Sequence, residues 1–480
     1  MLVSLTLLLA VTVGAVTSMQ PLGALAFAAL GLTITFVTSP KTLRAVFLLS
    51  LGLSIVGYVY LGRGFAYLGV APLYVGEPLL GLGVLTAVVT KRVRDLHGVG
   101  VLVIGFMVFG ALRTVPYIEA YGVNALRDGA LWYYASFSVI VCMLVSAKHI
   151  LISLRVYAIS LPILMLWLGL TSATWHKISH LLPHMPGSDV TILFVKPSDR
   201  GVILAGAAVF VLVGLYQKFA TRWRISNWII WLTWLFAFLW VATSTRGGTL
   251  AVILAVGLAM SLTSASRGWI NPLLILAVII IPIALINPQI DRGSDRSVSL
   301  SQFVNNMTSI VTSDDSSSSL TGTRDYRLRW WKEIVGYTVG GEYFFTGKGF
   351  GINLADDDGF QILQDSSLRA PHNSHMTVLA RMGVPGFMYW IVLQSVFAIA
   401  LLKSILRSRR EIDITAVQVK TWVLALWLAA MVVTSFDPYL EGPQGAILFW
   451  CVFGLGMITL GLEKGAFDSP VTWLPLPVRN

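Results

Sequence analysis

The sequence predicts an all-α integral membrane protein, and its composition and its apolar runs carry that prediction. The 480 residues are 56% hydrophobic and 12% charged, with a mean hydropathy of +0.77. A soluble domain has about 25% charged residues, so lipid is the solvent for most of this chain. About fourteen runs approach the roughly 20 apolar residues that cross a bilayer as a helix. The first two are short and flank Pro21, and we therefore expect about 12–14 transmembrane helices.

These apolar runs divide the chain into three parts. They are centred near Leu9, Leu30, Leu51, Leu80, Ile104, Val139, Leu161, Val209, Leu235, Leu254, Ala277, Leu393, Ala425 and Cys451. We predict an N-terminal bundle of about eleven spans over residues 1–287 and an extracytoplasmic loop domain over 288–383. About three further spans and a cytoplasmic tail follow over residues 384–480.

Basic residues predict which connections lie in the cytoplasm. Alternate connections carry Lys41 and Arg44; Lys91, Arg92 and Arg94; Lys148 and Arg155; Lys218, Arg222 and Arg224; Arg267; and Lys403, Arg407, Arg409, Arg410 and Lys420. The positive-inside rule places these connections, and with them both termini, in the cytoplasm. The net charge of +11 reflects this bias first, and no nucleic-acid partner is expected.

The other connections are predicted to lie outside. Residues 17–21 carry no charge, and residues 436–444 carry only Asp437 and Glu441. The longer outer connections span residues 113–127, 171–199 and 288–384.

The longest outer connection, 288–384, has a composition of its own. Residues 313–323 are Ser-rich, which is typical of flexible chain. Residues 324–336 then read as an amphipathic helix, and residues 347–351 form a Gly-rich turn. Connections of this length are uncommon unless they are functional. We therefore expect this one to fold over the outer membrane face.

His372 is the first candidate for chemistry, because it lies just before the span that begins near Val384. A histidine titrates near ~6.5 and suits a general base at neutral pH. Asn373 can cap a helix that enters the bilayer, and Gly383 and Gly386, with a proline between them, permit a bend or a close approach. Taken alone, His372 is explained as well by a hydrogen bond within the loop.

Arginines form the second candidate group. Arg127 and Arg246 lie at the outer ends of apolar spans, and Arg113 and Arg63 are predicted on the same side. An arginine near hydrocarbon costs roughly 2.5–3.5 kcal/mol at a helix centre, and a guanidinium binds phosphate oxygens through two parallel donors. Several arginines around one point could therefore hold a pyrophosphate without a metal. Snorkelling toward lipid headgroups is the alternative.

The predicted loop helix adds Arg324 and Arg327. Arg327 and Trp331 are four residues apart and share one helix face, whereas Arg329 points elsewhere and is expected to be solvated.

Two clusters of residues could bind a metal ion, but each has a simpler interpretation. His176, His180 and His184 are spaced by four, but Pro183 interrupts the helix and no carboxylate accompanies them. Residues 356–358 are three consecutive aspartates that could hold a divalent cation, although a solvated turn is simpler. No metal and no cofactor are therefore predicted.

Three motifs together resemble the O-antigen ligase and polymerase superfamily. His372-Asn373, nine residues and then Gly383-Val384-Pro385-Gly386 are similar to its signature of a histidine followed by Gly-x-x-Gly. Thr245-Arg246-Gly247-Gly248 resembles its Ser-Arg-Gly segment, with threonine in place of serine. The run Arg327 to Lys332, followed by the turn at 347–351, resembles the Arg-to-Trp helix and Gly-x-Gly turn of its outer loop.

This resemblance implies a lipid-dependent, GT-C-like glycosyltransferase of the bacterial inner membrane. The implied donor is a glycan on undecaprenyl pyrophosphate, and transfer is implied to be inverting and metal-independent. The implied acceptor is the lipid A–core sugar for a ligase or a second lipid-linked repeat unit for a polymerase. His372, Arg246 and Arg327 are then expected to be catalytic, and Arg127, Arg324, Arg63, Arg113 and Asn373 to bind substrate.

A transporter or flippase of a lipid-linked anionic glycan is the alternative from another class. Arginines at membrane depth suit it as well. It does not need a base in a long outer loop, and paired broken helices in two related halves would be expected.

Overall fold

The structure is a computed structural model. It describes residues 39–70, 73–90, 98–185, 190–220, 225–263, 290–291, 297–298, 318–364 and 367–467. The runs predicted near Leu9, Leu30 and Ala277 lie outside these residues, as do residues 313–317 of the Ser-rich stretch. The chain forms two compact units: Met1–Asp95 with Leu182–Val195, and Leu96–Leu181 with Lys196–Asn480.

The described part of the first unit contains two long helices and a small hairpin. Its elements are α1 (Pro40–Tyr60), α2 (Arg63–Ala66), β1 (Gly69–Val70), β2 (Leu73–Tyr74) and α3 (Gly76–Thr90). Helices α1 and α3 pack against each other. The strands β1 and β2 are antiparallel.

The second unit holds the remaining helices. They are α4 (Gly98–Thr114), α5 (Ile118–Tyr121), α6 (Val123–Asp128), α7 (Ala130–Tyr133), α8 (Ser136–Leu144), α9 (Ala147–Ile178), α10 (Pro197–Leu212), α11 (Leu215–Phe219), α12 (Asn227–Ser244), α13 (Arg246–Leu262), α14 (Ser318–Val339), α15 (Leu354–Asp357), α16 (Ser374–Arg410), α17 (Ile414–Thr434) and α18 (Pro443–Leu460). Short 3₁₀ turns lie at Val115–Tyr117, Ser179–Leu181 and Tyr439–Glu441, and β3 (Ile290–Asp291) pairs with β4 (Ser297–Val298).

Within the described ranges, seven helices are long and apolar enough to cross a membrane. They are Pro40–Tyr60, Gly98–Tyr121, Ala147–Trp175, Asn227–Ser244, Ser374–Arg410, Ile414–Thr434 and Pro443–Leu460. Gly76–Thr90 and Arg246–Leu262 are shorter apolar helices. The predicted fold class, an all-α integral membrane protein, is confirmed.

Small residues let two helices of the second unit meet at their N-terminal ends. A Cβ on Gly201, in the first turn region of α10, would lie 2.5 Å from the Cα of Gly248 near the start of α13. Such close backbone approach through glycine is common between membrane helices. Both α10 and α13 also pack on α17. The start of α10 therefore lies directly beside the start of α13.

Helix α16 is broken at Gly383, and the outer loop fills the break. Gly383 has φ of +68° and ψ of −173°, which no helix contains. The carbonyls of Ala380 and Arg381 accept hydrogen bonds from the N–H groups of Lys348 (2.7 Å) and Gly349 (3.2 Å). The N–H of Val384 donates to the carbonyl of Phe344 at 2.8 Å. The Gly-rich turn thus satisfies the backbone groups that the kink frees, as buried polar groups require.

We expect Gly383→Ala to destabilise the protein by about 2 kcal/mol or more, because a Cβ there adds a clash to left-handed strain. That Cβ would lie 2.5 Å from the carbonyl oxygen of Phe344. Gly336→Ala on α14 is the matched control, since nothing lies within 4 Å of its Cβ. Thermal unfolding in detergent measures both. Equal midpoints for the two variants would contradict this account of the kink.

A small core joins α14 and the residues that follow it to the start of α16. Trp330, Ile334 and Leu354 are fully buried and pack with Leu379 of α16. Phe360 stacks on Trp330 with the ring centroids 5.4 Å apart. The predicted amphipathic helix is confirmed, and as α14 it is longer than expected. Because one face of α14 is buried against α16, the direction in which the other faces of α14 point is fixed.

Candidate functional site

His372 lies in a strained backbone position at the entrance to α16. Its φ is +53°, in the left-handed region that a side chain with a Cβ adopts at a cost. The indole Nε1 of Trp331 donates to the carbonyl of Pro371 at 2.9 Å, which holds the preceding residue. Strain of this kind persists only where the surroundings impose it, and it is concentrated at functional sites. The imidazole is largely buried.

Asn373 fixes the other side of His372 as the N-cap of α16. Its side-chain oxygen accepts from the N–H groups of His375 (2.9 Å) and Met376 (3.2 Å). The predicted capping role is therefore confirmed. Substrate binding by Asn373 stays a prediction.

The neighbouring His375 has a different setting. Its Nδ1 accepts from the indole N–H of Trp390 at 3.1 Å, and its Nε2 lies 3.4 Å from the carbonyl of Met431. These contacts match a neutral imidazole with the proton on Nε2. Of the two histidines, His375 is engaged within the bundle.

Asp437 lies at the centre of the charged groups around His372. Its carboxylate accepts from Lys196 at 3.4 Å and from the hydroxyl of Ser198. Lys196 is the N-cap residue of α10, and Ser198 lies in its first turn. The connection between α17 and α18 is thereby joined to the start of α10.

Arg327 reaches the same place from the loop helix α14. Its guanidinium donates to the carbonyl of Phe436 at 3.1 Å. Its Nε is buried and has no hydrogen-bond partner within the part of the chain that the structure describes. Burial lowers the pKa of Arg327 and the nearby Asp437 carboxylate raises it. The predicted common face of Arg327 and Trp331 is confirmed, because both contact the segments that flank the site.

The surroundings of His372 keep its imidazole neutral. Burial, together with the positive charges of Arg327 and Lys196, lowers its pKa from the usual 6.5 to about 4, although the Asp437 carboxylate raises it. Buried histidines lose the charged form because the imidazolium is poorly solvated there. At neutral pH the ring is therefore a proton acceptor.

Arg246 begins α13 beside this cluster. The N-cap Thr245 accepts from the N–H of Gly248 at 3.4 Å. A Cβ on Gly247 would lie 2.9 Å from the Cβ of Phe436, which neighbours Asp437. The glycines after Arg246 thus let the start of α13 approach the α17–α18 connection, and the arginine side chain itself is partly buried.

The other predicted arginines lie elsewhere. Arg113 donates to the carbonyl of Thr346, and Arg127 is 55% exposed and 3.9 Å from Asp128. Arg324 is exposed on α14, and Arg329 is exposed as expected. In the first unit, Arg63 donates to the hydroxyl of Tyr67 at 3.0 Å. Substrate binding by Arg63, Arg113, Arg127 and Arg324 stays a prediction.

A second charged group was missed by sequence reasoning. Asp128 forms ion pairs with Arg369 (3.0 Å) and Arg381 (2.9 Å) as well as with Arg127. The Arg381–Asp128 pair is largely excluded from solvent, because the two side chains are 2% and 8% exposed. It joins α6 to α16, and Arg369 lies three residues before His372. No motif marked these residues, because their partners are far apart in the chain.

The aspartates at 356–358 have structural partners. Lys348 lies 2.5 Å from both Asp357 and Asp358, and the indole of Trp330 donates to Asp358 at 2.7 Å. Among the described residues, no three His, Cys, Asp or Glu side chains form a group that could hold a metal ion.

The fold and the site define a class: a multi-pass α-helical membrane protein with a neutral histidine and several cations where a long loop meets the helices. Residues 231–391 match the O-antigen ligase family. This domain supports a relationship to the O-antigen ligase and polymerase superfamily. The match spans α12 to the middle of α16 and includes Arg246, Arg327 and His372. No curated protein matches the chain.

Proposed function

We propose that the protein transfers a glycan from a polyprenyl pyrophosphate, undecaprenyl pyrophosphate by family, to an acceptor hydroxyl. Transfer takes place at the extracytoplasmic face of the bacterial inner membrane. The observation that carries this proposal is the placement of His372: strained, neutral and adjacent to Arg327, Lys196 and Asp437. A proton acceptor next to fixed cations suits a reaction in which a hydroxyl attacks and an anion leaves.

The proposed reaction is a single displacement. His372 accepts the proton of the acceptor hydroxyl as its oxygen bonds to the anomeric carbon of the donor. The bond between that carbon and the pyrophosphate oxygen breaks, and polyprenyl pyrophosphate leaves with the electron pair. One displacement inverts the anomeric configuration. Asp437 stabilises the imidazolium that forms, since its carboxylate already raises the pKa of His372.

Fixed positive charge supports the departing pyrophosphate. Arg327 has a buried Nε donor without a partner among the described residues, and Lys196 and Arg246 lie at the starts of α10 and α13. Adjacent helix N-termini add partial positive charge and free N–H groups. These groups need no reorganisation at the moment of reaction, which makes such stabilisation effective. The chemistry proposed here uses no metal ion.

The pH dependence of transfer is the first expected consequence. The acidic limb of kcat/KM reports the free enzyme and should lie near pH 4, because the pKa of His372 is lowered to about 4. The acidic limb of kcat should lie at higher pH. The bound donor is an anion that offsets the charges of Arg327 and Lys196, which raises the pKa of His372. Steady-state rates between about pH 3 and 8 measure both limbs, and coincident limbs near ~6.5 would contradict the site electrostatics.

The second expected consequence concerns the positive charge of the side chain at position 246. Arg246→Lys keeps a cation at the start of α13, so it should retain more transfer than Arg246→Gln, which we expect to lose about 100-fold. Initial rates with purified protein in vesicles measure both variants. Equal losses would show that a two-donor guanidinium contact is required instead.

A reconstituted assay tests the proposed function and its alternatives. Purified protein is given a polyprenyl pyrophosphate oligosaccharide with either a lipid A–core acceptor or a second lipid-linked unit. Product on the first acceptor identifies a ligase, and product on the second identifies a polymerase. Transfer should persist in excess EDTA, and complete inhibition would exclude the metal-independent reaction. Donor that crosses the bilayer with no glycosidic bond formed would instead identify a transporter.

A further inference from the structure

Glu441 is a carboxylate of the second unit to which the proposed reaction gives no part. It ends the 3₁₀ turn Tyr439–Glu441 between α17 and α18. Its Oε1 accepts from the hydroxyl of Thr377 at 2.8 Å, and Ser374 is a further side-chain hydrogen-bond partner. Both hydroxyls lie in the first turn of α16, which starts two residues after His372. Thr377 and Ser374 are buried.

Ser374 makes a second connection between the same two segments. Its hydroxyl accepts from the N–H of Leu440 at 3.3 Å and lies 3.5 Å from the carbonyl of Asp437. The segment 437–441 is therefore tied to the first turn of α16 at several points. We call these contacts of Ser374 and Thr377 with residues 437–441 the Glu441 latch.

The charged groups around Glu441 are consistent with a carboxyl group that is held in one position. Its pKa is raised to about 7, chiefly by burial and also by the charge of Asp128, although the hydrogen bond from Thr377 and the charge of Arg381 lower it. Arg381 is itself held by Asp128 at 2.9 Å. The hydroxyl of Thr377 therefore holds the carboxyl group, and the ion pair that joins α6 to α16 lies within electrostatic reach of it.

We propose that Glu441 is a positioning residue that, through Thr377 and Ser374, sets the place of Asp437 relative to His372. Asp437 and the latch belong to one short connection, and His372 and the latch belong to the entrance of α16. A displacement of about 1 Å between catalytic groups can cost up to 100-fold in rate. The latch thus controls kcat without touching substrate. This inference rests on the proposed function, in which His372 is the base.

Thr377 offers a matched pair of variants. Thr377→Val removes the hydroxyl at nearly constant shape, and Thr377→Ser keeps it. We expect Thr377→Val to lower kcat by about tenfold or more, with KM for the donor within about twofold. Thr377→Ser should stay within about twofold of the unaltered protein. At the acceptor end, Glu441→Gln keeps an oxygen acceptor and should retain more activity than Glu441→Ala.

Hydrogen–deuterium exchange supplies a second readout that does not depend on activity. Peptides covering residues 436–443 should exchange faster in Thr377→Val, because the segment loses its tie to α16, and should be unchanged in Thr377→Ser. Unaltered exchange in Thr377→Val, or equal kcat for the valine and serine variants, would overturn the positioning role. If Thr377→Val fails to fold, the Glu441→Gln and Glu441→Ala comparison decides in the same way.

Failure of the proposed function is distinguishable from failure of this inference. Absence of transfer by the unaltered protein contradicts the proposed function. Unaltered exchange in Thr377→Val, in a protein that does transfer glycan, contradicts the positioning role alone.

Discussion

His372→Ala should abolish glycan transfer. Removal of a general base costs about 100- to 10,000-fold in rate. Initial rates with purified protein in vesicles are the measurement. His180→Ala is the matched control, because His180 is an exposed histidine of the same unit. Near-normal turnover in His372→Ala would remove the imidazole from the chemistry.

The backbone of His372 adds an expectation about stability. His372→Ala keeps a Cβ at φ of +53°, whereas His372→Gly relieves that conformation. We expect the glycine variant to be more stable than the alanine variant by about 1 kcal/mol. Both should be inactive. A strained backbone at a residue whose side chain is essential indicates that the fold holds the imidazole in one required position.

Arg327→Gln should have the second-largest effect. Loss of one donor that stabilises a developing anion costs about 100- to 1,000-fold in kcat. Arg329→Gln on the same helix is the control, because Arg329 is exposed on another face. Rates of both variants in the vesicle assay are the measurement. Equal rates for Arg327→Gln and Arg329→Gln would place the leaving group elsewhere.

The same substitution should raise the pKa of His372, since the charge of Arg327 lowers it. Carbethoxylation of His372 at increasing pH, followed by mass spectrometry, reports that pKa without activity. In Arg327→Gln the reactive, neutral form should appear at higher pH than in the unaltered protein. A shift in the opposite direction would contradict the proximity of the two side chains.

Local patterns in the sequence predicted much of this arrangement. Low charge and apolar runs predicted the all-α membrane class, and the pattern of residues 324–336 predicted the loop helix with Arg329 exposed. The Gly383 signature predicted a bend or a close approach. In the structure it is both, because the kink in α16 and the 347–351 turn exchange backbone hydrogen bonds.

What the sequence could not predict depends on contacts between distant segments. Asp437 was visible only as a charge in a short connection, and Lys196 only as one residue of an outer loop. Their pairing joins residues 241 positions apart, and no local pattern encodes such a distance. The same holds for Arg381, which lies within the span that contains the kink but pairs with Asp128. The sequence signal available for Asp437 was that it is one of only two charged residues in a short connection predicted to lie outside.

The most direct test of the central claim is the stereochemistry of transfer by the purified protein. A donor of defined anomeric configuration on polyprenyl pyrophosphate is incubated with the unaltered protein in vesicles, and the product is analysed by NMR. The account predicts one glycosidic bond of inverted configuration for each polyprenyl pyrophosphate released, and neither product with His372→Ala. Retained configuration, or release of the lipid without a new glycosidic bond, would contradict it.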